Sequence, residues 1–142
     1  MIMDIDHFKK VNDTWGHQAG DHALKFCADT LRNSFRVSDL VSRLGGDEFI
    51  ILMRFIPNRE VVEAKANALL EAIHQASLDY EGITLNISIG IALHPADGED
   101  IDTLYARADK ALYHVKHLGK NNACFSDELK SSGGEAQILR TL

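Results

Sequence analysis

The sequence predicts an α+β fold, a split-βαβ, ferredoxin-like sheet with helices on one face, from the element order β-α-β-β-α-β-α-β. Three observations support it: stripes of apolar residues at helical spacing, two apolar segments joined by Gly45-Gly46, and one sharply alternating run at residues 83–93.

Met1-Ile2-Met3-Asp4-Ile5 reads as the second half of a buried strand ending in a carboxylate, so a segment upstream is expected. Ala23, Leu24, Cys27, Ala28, Leu31 and Phe35 recur at helical spacing and predict a helix over roughly residues 20–35. Residues 40–44 then read as a short strand, Gly45-Gly46 as a tight turn and 48–55 as a nearly all-apolar strand, a hairpin with a Gly-Gly-Asp tip. After Pro57-Asn58, Val62, Ala66, Leu69, Leu70 and Ile73 mark a second helix. Ile83, Leu85, Ile87, Ile89, Ile91 and Leu93 alternate with Thr84, Asn86, Ser88, Gly90 and Ala92, the period of a strand with one wet or helix-covered face. Ile101, Leu104, Tyr105, Ala108, Ala111, Leu112 and Val115 form a third helical stripe, and residues 123–125 a last edge strand.

A chain of 142 residues, 45% hydrophobic and 25% charged, has the make-up of one globular domain. We expect the domain at residues 1–126 and a flexible tail at 127–142, where Ser131-Ser132-Gly133-Gly134 is linker-like. No apolar run approaches the roughly 20 residues of a membrane span, and no signal peptide is legible. The reading is therefore a soluble, cytoplasmic domain, compatible with being the cytoplasmic part of a membrane-anchored protein. Cys27 and Cys124, far apart, read as packed thiols in a reducing compartment. The seven histidines are scattered and are assigned no metal. A net charge of −6 argues against nucleic-acid binding and leaves room for a small phosphorylated ligand.

In the expected topology the first strand lies beside, and antiparallel to, the strand after the hairpin, so Asp4 and Asp47 should be neighbours. Carboxylates converging from adjacent strand ends suit paired Mg²⁺ ions that activate a hydroxyl and stabilise leaving pyrophosphate. Asp4, Asp47 and Glu48 are the candidates; each alone also reads as a solvated turn residue. Gly45-Gly46 serves either a turn needing positive φ or close approach of a ligand, and both can hold together.

Gly45-Gly46-Asp47-Glu48-Phe49 is letter for letter the motif that names the GGDEF family of diguanylate cyclases. The chain also resembles that family at Asp4-Ile5-Asp6-His7-Phe8-Lys9, Asn12-Asp13-Thr14, Gly16-His17, Gly20-Asp21, Ser88-Ile89-Gly90, Ala108-Asp109, Ala111-Leu112-Tyr113, Lys116 and Gly119-Lys120-Asn121, in family order over residues 1–125. The resemblance implies a nucleotide-cyclase-like palm that condenses two GTP into cyclic di-GMP and two pyrophosphates as a homodimer. It implies two Mg²⁺ per site, with Mn²⁺ an alternative, held by Asp4, the Ile5 carbonyl and Asp47, while Asp47 and Glu48 support activation of the ribose 3′-hydroxyl. Asn12 and Asp21 would hydrogen-bond the guanine edge. Lys9, Lys116 and Lys120, with main-chain N–H groups around His7 and Phe8, would cradle the triphosphate. Lys116 and Lys120, four apart, would share one face of the third helix. Lys9 and Lys116 also read as merely solvated, Asn12 and Asp13 as turn residues, and Trp15 and Tyr113 as core aromatics rather than base-stacking platforms.

Arg36-Val37-Ser38-Asp39, five residues before Gly45, resembles the family's R-x-x-D inhibitory site for the product; alone it would read as a surface ion pair. The helix and Asp-x-Leu-Thr-Gly-Leu-x-Asn-Arg-Arg segment that the family carries before its first strand is absent here, so a trimmed chain is expected, as is an upstream sensory domain. Lys120 stands where the family often has arginine, and no arginine follows Arg59 in the second helix to supplement the inhibitory site. The alternative function is a silent module that senses cyclic di-GMP or binds GTP.

Overall fold

The computed structural model describes residues 1–78 and 82–131. Its elements are β1 (Ile2–Ile5), α1 (Phe8–Trp15), α2 (His17–Ser34), β2 (Leu40–Gly45), β3 (Glu48–Leu52), α3 (Arg59–Leu78), β4 (Ile87–Ile91), α4 (Ile101–His117), β5 (Ala123–Phe125) and α5 (Glu128–Ser131). The expected order is present with α1 and α5 added. The sheet runs β2-β3-β1-β4-β5, with β1 antiparallel to β3 and β4, and β4 parallel to β5. β1 and β2 are thus split by β3, which is the split-βαβ arrangement and makes β1 the buried centre of the sheet.

Helices cover both faces, a correction to the expectation of one. Met3, Ile5, Phe49, Ile87, Ile89 and Ile91 pack with Ala23, Leu24, Cys27 and Leu31 of α2 and Val62, Ala66, Leu69 and Ile73 of α3. On the opposite face Ile2 packs with Ala108 and Leu112 of α4, and Cys124 with Ala111 and Val115. The crossovers β3-α3-β4 and β4-α4-β5 step the same way across the sheet from parallel strands, with their helices on opposite faces. They therefore have opposite hands, and one of them departs from the right-handed rule. The small residues that alternate with the isoleucines make this possible: a Cβ on Gly90 would stand 1.9 Å from the Ala108 carbonyl oxygen, so α4 lies directly on the β4 backbone.

Two strands are shorter than their apolar runs. β4 begins at Ile87 although Ile83 and Leu85 are buried, because β1, its partner, ends at Ile5 and the chain turns at the left-handed His7. β3 ends at Leu52, and Phe55, at positive φ, is exposed. Within the segment expected to be a flexible tail, Asp127 and Glu128 each accept from the Arg59 guanidinium at 2.6 Å, and Arg59 lies over the Phe125 ring.

Candidate active site

The site grows out of strand register. The Ile5 N–H donates to the Asp47 carbonyl at 3.3 Å and the Ile51 N–H to the Met1 carbonyl at 2.9 Å, so the odd positions of β1 direct their main-chain groups toward β3. The Ile5 carbonyl therefore faces the hairpin end. Asp4 and Glu48 are directly opposed between these bonded pairs, where side chains stand closest. Two like charges in that position are destabilising unless something offsets them. Lys116, near the end of α4, supplies one offset: its Nζ lies 2.7 Å from Asp4 Oδ2.

Asp4 is buried, and burial is the main reason its carboxyl is pushed up to about 6; the Lys116 hydrogen bond pulls it down and Asp47 adds to the rise. A raised folded-state pKa favours folding only while the group is protonated. This contribution is present below pH about 4 and is lost as pH rises through about 6, at most about 3 kcal/mol. In metal-free protein, the stability of wild type relative to Asp4→Asn should therefore fall between pH 4 and 7, measured by urea unfolding. A constant difference would contradict the raised pKa.

Above the carboxylates, Gly46 has φ 54° and neither Gly45 nor Gly46 would meet any atom within 4 Å of an added Cβ, so the tip is a bare, open backbone. Arg43, a residue without an expected role, holds the Gly46 carbonyl by donating from Nε at 2.8 Å.

α1 is an addition to the expected order; Phe8 and Val11 at helical spacing are its signal in the sequence, outweighed by the turn chemistry of Asn12 and Asp13. His7 precedes it with φ 57°, and the first main-chain bond runs from the Lys10 N–H to the His7 carbonyl at 2.8 Å. The N–H groups of Phe8 and Lys9, at the helix start, precede any intrahelical partner. Lys9 is exposed. α1 and α2 turn about Gly16, which brings the Asn12 side chain over Gly20: a Cβ there would lie 1.8 Å from Asn12 Oδ1. Asp21, the residue after Gly20, is exposed.

Lys116 and Lys120 do not share a helical face. α4 ends at His117, Leu118 caps it, and Lys120 lies in the following loop with φ 64°, its N–H on the Val115 carbonyl at 3.0 Å. Trp15 and Tyr113 are not core aromatics: they are 54% and 64% exposed, Trp15 at the end of α1 and Tyr113 stacked on His117. Asp6, also without an expected role, is buried and bonded to the Ser88 hydroxyl and the Asn121 N–H.

Arg36 and Asp39 lie at the end of β2 away from Gly45. The Asp39 carboxylate is held by the main-chain N–H groups of Arg36 and Arg54 at 3.1 and 3.0 Å, which leaves the Arg36 side chain exposed. Among the described residues no three His, Cys, Asp or Glu side chains group to hold a metal ion, so a cation here would rely on two carboxylates and a main-chain carbonyl.

The family model described as "Diguanylate cyclase, GGDEF domain" matches residues 1–122. The chain belongs to the GGDEF family. This GGDEF domain is 38% identical over 141 residues to the bifunctional diguanylate cyclase/cyclic di-GMP phosphodiesterase MucR of Pseudomonas aeruginosa, covering 97% of the chain and 20% of MucR. It is 36% identical over 125 residues to the cyclic di-GMP phosphodiesterase NbdA of the same organism, covering 88% of the chain and 16% of NbdA. The GGDEF domain of DgcB from Caulobacter crescentus, solved in complex with c-di-GMP, superposes with a TM-score of 0.78 at 29% identity, covering 89% of this chain and 75% of that one. The chain spans a fifth or less of the two curated relatives' length.

Proposed function

We propose that this domain is a diguanylate cyclase that condenses two GTP into cyclic di-GMP and two pyrophosphates, working as a homodimer. The observation that carries this reading is the opposition of Asp4 and Glu48 on adjacent strands, with Asp47 bonded to Ile5 beneath a tip bare of side chains. Asp4, Asp47 and the Ile5 carbonyl would hold two Mg²⁺, or Mn²⁺, which when bound neutralise polyphosphate charge and acidify the attacking hydroxyl. An excess of carboxylate over cation fits this: Asp4 and Glu48 stand opposed with one ion pair among the described residues, Lys116 to Asp4, and burial pushes the Asp4 carboxyl up.

The chain's own groups do the rest. Phe8 and Lys9 amides at the start of α1, beside His7, bind phosphate oxygens, joined by the ammonium groups of Lys9, Lys116 and Lys120. Gly45 and Gly46 let the nucleotide reach the backbone. Asp47 and Glu48 orient the 3′-hydroxyl and support its deprotonation, and each 3′-oxygen attacks the α-phosphorus on the facing domain as pyrophosphate leaves. GTP supply places the domain in the cytoplasm, under control of an upstream sensory domain.

Asn12 and Asp21 recognise guanine, an acceptor and a donor edge met by amide and carboxylate. On adenine they would be left mismatched, so calorimetry should find GTP bound at least about a hundredfold more tightly than ATP. Equal affinities would remove both residues from base recognition.

Arg36 and Asp39 bind the product at a separate inhibitory site. Arg36→Ala should weaken cyclic di-GMP binding roughly ten- to a hundredfold and relieve inhibition without raising the uninhibited rate. Unchanged product affinity would return the pair to an ordinary surface contact.

Similarity to NbdA, a phosphodiesterase by name, favours a second reading, a silent module that binds GTP or cyclic di-GMP. Incubation with GTP and Mg²⁺ followed by ion-exchange chromatography separates the two: cyclic di-GMP and pyrophosphate are expected, and GTP recovered unchanged would establish the silent reading.

A further inference from the structure

Asp6, two residues beyond Asp4, is 6% exposed and takes no part in the chemistry proposed above. Both its oxygens are engaged: Oδ1 accepts from the Ser88 hydroxyl at 2.7 Å and Oδ2 from the Asn121 N–H at 2.8 Å. A carboxylate is costly to bury unless its oxygens are hydrogen-bonded, and here the donors come from two distant segments. Ser88 is the register partner of Asp4 on β4. Asn121 belongs to the loop after α4, where Lys120 and Asn121 are both left-handed, with φ 64° and 47°. Consecutive non-glycine residues in that region are unfavourable and persist where their surroundings hold them.

Among the described residues, three hydrogen bonds tie residues 120–122 to other parts of the fold. Asn121 donates to Asp6, Lys120 donates to the Val115 carbonyl at 3.0 Å, and the Asn122 carbonyl accepts from Ile89 at 2.9 Å. Of these, the Asp6 bond alone ties the loop to the segment that leaves β1. We propose that Asp6 is a positioning residue that fastens the Lys120 loop to the Asp4 end of β1, setting the loop cation at a fixed place relative to the carboxylates. The inference rests on the reading of Lys120 as a phosphate ligand.

The arrangement distinguishes fastening from charge. Asparagine at position 6 can keep its oxygen on the Asn121 N–H and turn its amide to the Ser88 oxygen, whereas alanine loses both bonds. Calorimetry with a non-reactive GTP analogue and Mg²⁺ should find Lys120→Ala weakened about tenfold or more and Asp6→Ala about tenfold. Asp6→Asn should stay within about threefold of wild type, and the Asp6→Ala/Lys120→Ala double variant should bind no more weakly than Lys120→Ala alone. In the wild-type protein without nucleotide, the Asn121 amide should be protected from hydrogen exchange, a measurement that holds even where Asp6→Ala does not fold. Additive losses, equal damage from alanine and asparagine, or an unprotected Asn121 amide would overturn the fastening role. Unchanged affinity in Lys120→Ala would instead overturn the phosphate reading, and the inference with it.

Discussion

Asp47→Ala is expected to lower cyclic di-GMP synthesis by at least about a hundredfold while leaving the thermal melt essentially unmoved. The two halves of that expectation have separate causes. The bond that ties the hairpin tip to β1 uses the Asp47 main-chain carbonyl, which alanine keeps, and the side chain is only partly buried at a turn. What the variant loses is a carboxylate proposed to hold metal beside the reacting atoms, and removing one preorganised electrostatic partner of a transition state typically costs a hundred- to a thousandfold or so. Turnover and melting measured on one preparation decide it. Wild-type turnover would remove Asp47 from the mechanism, whereas a large fall in melting temperature would show that the site and the scaffold are not separable here.

Gly90→Ala should destabilise the fold by about 3 kcal/mol or more, the upper range for overpacking, because the added methyl meets backbone rather than a yielding side chain. Its Cβ would lie 1.9 Å from the Ala108 carbonyl oxygen and 2.5 Å from the Leu112 nitrogen. Relief requires α4 to move off the sheet. Since α4 carries Lys116 against Asp4, activity should fall with stability, and partial rescue by low temperature should restore neither the ion pair nor the full rate. A variant with wild-type stability in urea would mean that α4 does not rest on Gly90.

The sequence made the sheet legible because its strands and helices have distinct periods and its carboxylates fall at strand ends. Asp4 and Asp47 could be placed together from element order alone, and the register of Asp4 against Glu48 bears that placement out. The face chosen by α4 was hidden for a physical reason. The handedness rule assigns successive parallel crossovers to one face, and only the small residues Ser88, Gly90 and Ala92 hinted that the other face could receive a helix. α1 was hidden by Asn12 and Asp13, whose turn chemistry outweighed two apolar positions in a short helix. Lys120 was misplaced because spacing of four implies a shared face only while the helix continues, and Gly119 at φ 122° ends that continuity. Asp6 and Arg43 act on main-chain groups brought near by tertiary structure or a tight turn, so nothing in their spacing announced them.

The placement of divalent metal and nucleotide at the end of β1 can be read directly with Mn²⁺ as a paramagnetic probe. In amide-resolved NMR of the wild-type domain with a non-reactive GTP analogue, substoichiometric Mn²⁺ is expected to broaden Asp4, Ile5 and Asp47 before any other signals, with Lys116 and the Lys120 loop following, and to do so more weakly as pH falls, because protons compete with the cation for the Asp4 carboxylate, whose pKa burial raises. Broadening centred elsewhere, or none when the analogue is bound, would contradict a metal-nucleotide site at these carboxylates.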